Sequence, residues 1–278
     1  MPGTQNREPG IYFVLGQGVC IISRCMAQTI LEVKDLHKAY DNKPAVDGVS
    51  FNVEKGEIFG ILGPNGAGKT TTLEMIETLR SIDSGSATID GVDVAAEPYK
   101  IRGMIGVQPQ TPGFQDKTKL TETLQMFAAA YGETVNPKEY LDDVELGDDA
   151  DKYVENLSGG QRQRFSIAAA LVHSPKVFFM DEPTTGLDPQ ARLHLWDLVQ
   201  RIRSQGISVI LTTHYMEEAE QLCDRVAIMD NGKIIALDTP QSLIKQLLAR
   251  GFKKKHHIEQ ATLEDVFIDL TGRELRDA

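Results

Sequence analysis

Gly63-Pro64-Asn65-Gly66-Ala67-Gly68-Lys69-Thr70 is the stretch that decides the fold. Before it, Glu57-Ile58-Phe59-Gly60-Ile61-Leu62 is apolar enough for a strand buried on both faces. After it the pattern restarts as a helix, predicted from Lys69 to about Leu79. A glycine-rich turn between a buried strand and a helix, closing on Lys and Thr, is a P-loop. Its glycines let backbone N–H groups turn inward on phosphate oxygens, an approach that side chains would block. Lys69 supplies a point charge for the β- and γ-phosphates, Thr70 a hydroxyl for Mg²⁺, and the helix start its dipole. Thr71 completes this candidate set. A plain connecting turn is the alternative, and the full pattern in its strand–helix setting argues against it.

Working outward, Val177-Phe178-Phe179-Met180-Asp181-Glu182 is a second apolar strand, ending in two carboxylates. That places charge at the carboxyl edge of a sheet, where open α/β folds bind ligands. Asp181 is placed to hold Mg²⁺, and Glu182 to polarise an attacking water as a general base. Leu31 and Val33, then Val49, Phe51 and Val53, alternate with polar residues as half-buried antiparallel strands do. Helices are predicted at Leu120 to Tyr131, Pro137 to Val144, Gly159 to Val172 and Pro189 to Ile202, and a strand at Ser208 to Thr212. Asn231-Gly232 between Val226 to Met229 and Ile234 to Leu237 is a hairpin signal, and Thr239-Pro240 opens a last helix. Strands alternating with helices make an α/β fold with a mostly parallel sheet covered on both faces.

A P-loop alone stops at ATP or GTP. Leu157-Ser158-Gly159-Gly160-Gln161 narrows the field, because Ser158 caps a helix whose free N–H groups and glycines form a second anion site. This run resembles the signature sequence of ATP-binding-cassette (ABC) proteins and lies shortly before the Asp181-Glu182 strand, as in that family. Four more features fall in family order. Tyr40 stands where the family keeps an aromatic that stacks on adenine. Gln110 resembles the glutamine that contacts Mg²⁺ and reports to the membrane partner, with Gln108 close by as the other candidate. Gly186-Leu187-Asp188 resembles the loop that crosses the dimer interface, and His214 the switch histidine that contacts the γ-phosphate.

The resemblance covers about Ile30 to Leu248. It implies a P-loop NTPase (RecA-like) core, an N-terminal antiparallel β subdomain and an α-helical signature subdomain at about 114–160, within an ATPase domain spanning 26–250. It also implies a head-to-tail dimer, each ATP held between one subunit's P-loop and the other's signature helix. The expected partners are an integral-membrane permease docked on the helical subdomain and a second ATP-binding subunit, at the cytoplasmic face of a bacterial membrane. The runs at Thr213 to Glu220 and Leu263 to Arg273 are similar to exporting ATPases of the ABC-2 group, which move drugs, lipids or polymers. An importer energiser remains the alternative, as does an ABC ATPase acting on ribosomes or DNA.

Composition sets the remaining bounds. The net charge of −11 argues against nucleic-acid binding, which needs a positive footprint. The basic run Lys253 to Lys255, followed by His256 and His257, reads as a solvated face. Cys20, Cys25 and Cys223 have no metal-ligand spacing and fit a reducing compartment. Residues 1–25 do not match the patterning that follows, nor a signal peptide, since Arg7 is cancelled by Glu8. Met26 is therefore the expected start, the alternative being that residues 1–25 are a short disordered or edge-packing leader. The tail 251–278 carries a short amphipathic helix with Leu263, Val266, Phe267 and Leu270 on one side.

Overall fold

The computed structural model describes residues 28–111, 113–252 and 263–271. Residues 1–25, Met26 and the basic run Lys253 to His257 lie outside them.

Two sheets frame the molecule. Strands β1 (Thr29–Tyr40), β2 (Lys43–Glu54), β4 (Ser84–Ile89) and β5 (Val92–Asp93) form an antiparallel sheet in the order β2-β1-β4-β5. Leu31 stands opposite Val53 and Val33 opposite Phe51, so the alternating apolar residues share one buried face. The second sheet contains β3 (Ile58–Leu62), β6 (Ile105–Gln108), β7 (Val177–Asp181), β8 (Ser208–Thr213), β9 (Arg225–Asp230) and β10 (Lys233–Asp238), in the order β10-β9-β3-β8-β7-β6. All its pairings are parallel except the β9–β10 hairpin.

This sheet separates two cores, and its strands divide their side chains between them with the period of two that a strand imposes. Ile58, Leu62, Phe178, Met180, Val209 and Leu211 pack against one layer of helices. That layer comprises α3 (Leu120–Ala130), α4 (Pro137–Asp143), α5 (Gly159–Leu171), α6 (Pro189–Ser204), α7 (Met216–Leu222), α8 (Pro240–Ala249) and α9 (Leu263–Thr271). Phe59, Ile61, Val177, Phe179 and Ile210 face the other way. There they meet α1 (Lys69–Ile76), α2 (Pro98–Arg102) and the antiparallel sheet, with Phe51 stacked on Phe59 at 5.1 Å between ring centroids. Burial on both faces explains why β3 and β7 read as unbroken apolar runs.

Helix α1 is shorter than the sequence predicts. It ends at Ile76, with Glu77 as its C-cap, and Thr78 takes a left-handed conformation (φ 65°). Thr78 N–H donates to Met75 O and Leu79 N–H to Glu74 O, the paired closure usually built on glycine. With threonine at that position the stop carried no sequence signal. The stretch from β4 to β6 was likewise not expected from the sequence. The Asn231-Gly232 turn forms as predicted, both residues at positive φ (47° and 79°). Thr239 caps α8 by accepting from Ser242 N–H. In the tail, Leu263 and Val266 are buried and α9 packs on α7 and α8; the Phe267 side chain lies outside the description. Among the described residues no helix is long and apolar enough to cross a membrane.

Candidate nucleotide site

The P-loop leaves the carboxyl end of β3 in the middle of the parallel sheet and runs into α1. Its glycines are required by contact. A Cβ on Gly63 would sit 2.2 Å from the Met229 carbonyl, and one on Gly68 (φ 101°) 2.3 Å from the Ala45 carbonyl. The loop is pinned from outside by Gly63 N–H to Thr213 O (3.3 Å) and by Gly232 N–H to Ala67 O (2.9 Å). Lys69, almost fully buried, reaches back over it and donates to Gly63 O at 2.9 Å and Pro64 O at 3.2 Å.

The ends of β8, which pairs with β3, and of β7 beyond it complete the site. Thr70 Oγ1 donates to Asp181 at 3.0 Å, and Thr212 Oγ1 donates to Asp181 Oδ1 at 2.5 Å. Thr212 Oγ1 also accepts from Glu182 N–H at 3.0 Å, so one buried hydroxyl on β8 orders both carboxylate residues. Glu182 stands in the left-handed region (φ 46°) immediately after β7, a conformation that costs a non-glycine residue about 1–3 kcal/mol. This turns its carboxylate toward Lys69 Nζ (3.2 Å from Oε1) and His214 Nδ1 (3.3 Å from Oε2).

The two carboxyls have opposite electrostatics. His214, together with Lys69, holds Glu182 down at about 2 despite its burial, so it is ionised throughout the physiological range. Burial raises Asp181, partly offset by the hydroxyls of Thr212 and Thr70. Behind α1 a third carboxyl, Glu77, is 5% exposed and pushed up to about 8 by burial, with Asp181 and Glu74 adding repulsion.

Most of the sequence-predicted residues converge. Tyr40, Pro64, Asn65, Gly66, Gly68, Lys69, Thr70, Thr71, Gln110, Glu182 and His214 line one cavity of about 690 Å³. Tyr40 is 39% exposed at its mouth, with the Arg80 guanidinium 5.6 Å from its ring. Gln110 lines this cavity, whereas Gln108 is fully buried in β6 with its amide unpartnered among the described residues. Asp181 is not on the cavity wall but bonds to Thr70, which is. Gly63 and Ala67 shape the loop from behind.

Ser158, Gly159, Gly160, Gln161 and Asp188 are placed apart, in a second cavity of about 680 Å³ that shares no residue with the first. Ser158 accepts from Gln161 N–H (3.3 Å) and Gln161 Oε1 accepts from Ser158 N–H (3.0 Å), a reciprocal cap that fixes the start of α5. Asp188 caps α6 by accepting from Ala191 N–H at 2.9 Å. Sequence reasoning missed Thr212, Thr185 and Tyr215. The available signal for Thr212 was a polar residue near the end of an apolar strand, which the structure buries throughout.

Cradle, buried lysine and paired carboxylates on a mostly parallel sheet define a P-loop nucleoside triphosphatase, and comparison with known proteins makes the class specific. The ABC transporter family pattern matches residues 46–185. The chain belongs to that family, as its ATP-binding and ATP-hydrolysing component. It is 42% identical over 223 residues to the linearmycin resistance ATP-binding protein of Bacillus subtilis, covering 78% of this chain and 72% of that one. It is 40% identical over 239 residues to the daunorubicin/doxorubicin resistance ATP-binding protein of Streptomyces peucetius, covering 84% and 72%. Nod factor export ATP-binding protein I of Ralstonia nicotianae is 36% identical over 306 residues, covering 89% and 95%. Among solved structures, an ATP-binding subunit of an ABC transporter superposes with a TM-score of 0.76 at 31% identity, covering 87% of this chain and all of that one.

Proposed function

We propose that this chain powers an ABC-2 type exporter as a head-to-tail dimer, on the cytoplasmic face of a bacterial membrane. The observation that carries the dimer is the separation of two anion-binding features. One P-loop cavity and one capped, glycine-rich helix start occupy different clefts, so one chain supplies two half-sites that a second copy or a related subunit would complete. On this reading the ATPase domain spans 26–250, with its helical subdomain at about 114–160.

In the assembled site the residues act as follows. Tyr40 stacks on the base, and the P-loop N–H groups and Lys69 bind the phosphates. Lys69 exchanges its contacts with Gly63 O and Pro64 O for phosphate oxygens, which also loosens its hold on Glu182. Thr70, Asp181 and Gln110 offer the hard oxygens, with few carboxylates, that suit Mg²⁺ held mainly by substrate phosphates. Held there, Mg²⁺ would supply positive charge to offset that of the triphosphate. Glu182 orients and polarises the attacking water, and His214 contacts the γ-phosphate from beside it. The partner's Ser158 cap and glycine N–H groups close over the phosphates from the other side.

Docking of a permease is supported by a mostly apolar groove of about 540 Å³ between β6 and the helical layer. Leu79 (63% exposed) and Tyr131 (43% exposed) stand at it beside Phe114 and Phe127. Export rather than import is supported by the resistance and export roles in the names of the relatives. The test is Glu182→Gln. With ATP and Mg²⁺ it should run as a stable dimer in gel filtration and hydrolyse about 10²–10⁴-fold more slowly than the unsubstituted protein. A monomer in ATP, or rapid turnover, would remove the dimer or the base respectively.

A further inference from the structure

Helix α6 is capped by Asp188, which lines the second cavity, and packs against β8 and α7, the elements on either side of His214. Asp188, Arg192 and Trp196 follow at intervals of four and share one face of the helix. Two of them grip the start of α7, directly after His214. The Arg192 guanidinium lies 4.7 Å from the centroid of the Tyr215 ring, which in turn is 4.1 Å from the His214 ring. One turn further along, Trp196 Nε1 donates to Glu218 Oε1 at 3.3 Å.

Glu218 has no exposed surface, and the hydroxyls of Thr213 and Thr184 and the charge of Arg192 face it. Its second oxygen and the Thr184 hydroxyl make no well-formed hydrogen bond among the described residues. Thr213 is itself tied in twice, accepting from Tyr215 N–H at 2.9 Å and, through its carbonyl, from Gly63 N–H of the P-loop at 3.3 Å. A buried carboxyl with an incomplete set of partners is costly to keep, and a hydrocarbon side chain would fill the space without that cost. Its place one turn into α7, joined to α6 by Trp196 and facing Thr213 next to His214, gives it a use.

We propose that Glu218 is a positioning residue that, through Trp196 and Thr213, ties the His214 loop to α6 and so sets His214 against Glu182. The tie rests on the assignment of His214 to the γ-phosphate. It adds that engagement at the Asp188 end of α6 and engagement of the phosphate by His214 act on the same rungs, Arg192–Tyr215 and Trp196–Glu218. Trp196 is the only tryptophan of the chain, so tryptophan emission comes from the side chain that makes this tie.

The experiment uses the full chain with ATP and Mg²⁺. ATP binding, followed independently by equilibrium dialysis, should change Trp196 emission in the unsubstituted protein and should leave it unchanged in His214→Ala. Glu218→Leu should lower kcat about 10–100-fold with the KM for ATP kept, because a misplaced group near the reacting atoms costs rate and not ground-state binding. Glu218→Gln, which still accepts from Trp196, should recover most of that loss. Unchanged Trp196 emission on confirmed ATP binding would overturn the tie, as would full turnover in Glu218→Leu. Should that variant fail to fold, the emission comparison still decides. His214→Ala hydrolysing at the unsubstituted rate would instead overturn the histidine's own assignment, a separate result.

Discussion

Replacing Glu77 with glutamine should stabilise the protein, and increasingly so as pH rises. Glu77 caps the end of α1, almost fully buried, with Asp181 and Glu74 repelling its charge. Its pKa rises from 4.5 to about 8 in the folded chain. Below the lower value both folded and unfolded chains hold the proton, and the group contributes no pH dependence. Between the two values the folded chain keeps a proton that the unfolded chain has lost, so stability falls by about 1.4 kcal/mol per pH unit. Across the whole interval this sums to about 5 kcal/mol, of which about 3 are already lost at pH 7. Glutamine has a similar shape and does not titrate, so the slope should vanish. The assay is urea unfolding of both proteins at several pH values, since their difference cancels the titrating groups that do not interact with Glu77. The gap should widen by about 2–3 kcal/mol from pH 5.5 to 7.5. Parallel stability curves would refute the reasoning and place an unseen partner against Glu77.

Three further outcomes are expected. Lys69→Ala should keep the fold yet weaken ATP binding by more than about 100-fold, since a buried charge-assisted contact to phosphate is lost; dialysis against ATP checks it. Gly63→Ala should impair both folding and nucleotide binding, because the new methyl meets the Met229 carbonyl, and thermal melting with and without ATP separates the two effects. Ser158→Ala should cost about 1 kcal/mol of stability by removing the α5 cap, while hydrolysis falls and ATP binding to the P-loop is unaffected. Calorimetry and steady-state turnover read these separately.

The parts legible in the sequence are those where a local rule and the fold agree. The P-loop was visible because its glycines answer a steric demand that neighbours such as Met229 and Ala45 enforce. Strands β3 and β7 were visible because burial on both faces leaves no room for polar residues. The Asn231-Gly232 turn was visible because few residue pairs accept two positive φ values. Elsewhere the deciding interaction was distant or broke a rule. Thr78 ends α1 in a conformation that composition assigns to glycine. The choice between Gln108 and Gln110 depends on where β6 ends, and β6 is held by pairing with β7, some seventy residues away. Thr212 orders Asp181 and Glu182 across a strand pairing that local sequence does not contain.

The Asn231-Gly232 turn also bears on how the protein ages. Deamidation at such a pair requires the glycine nitrogen to attack the asparagine side chain, forming a cyclic imide. Here that nitrogen is held by the Ala67 carbonyl of the P-loop, and the Asn231 side chain donates to Asp230 at 2.9 Å. The same hydrogen bond that braces the phosphate cradle therefore shields the pair chemically for as long as the cradle stays closed. Isoaspartate at 231, read by mass spectrometry, should accumulate faster in partly denatured stocks than in native ones. Each such event inserts a backbone atom beside the P-loop, making this turn a record of how often the site has come open.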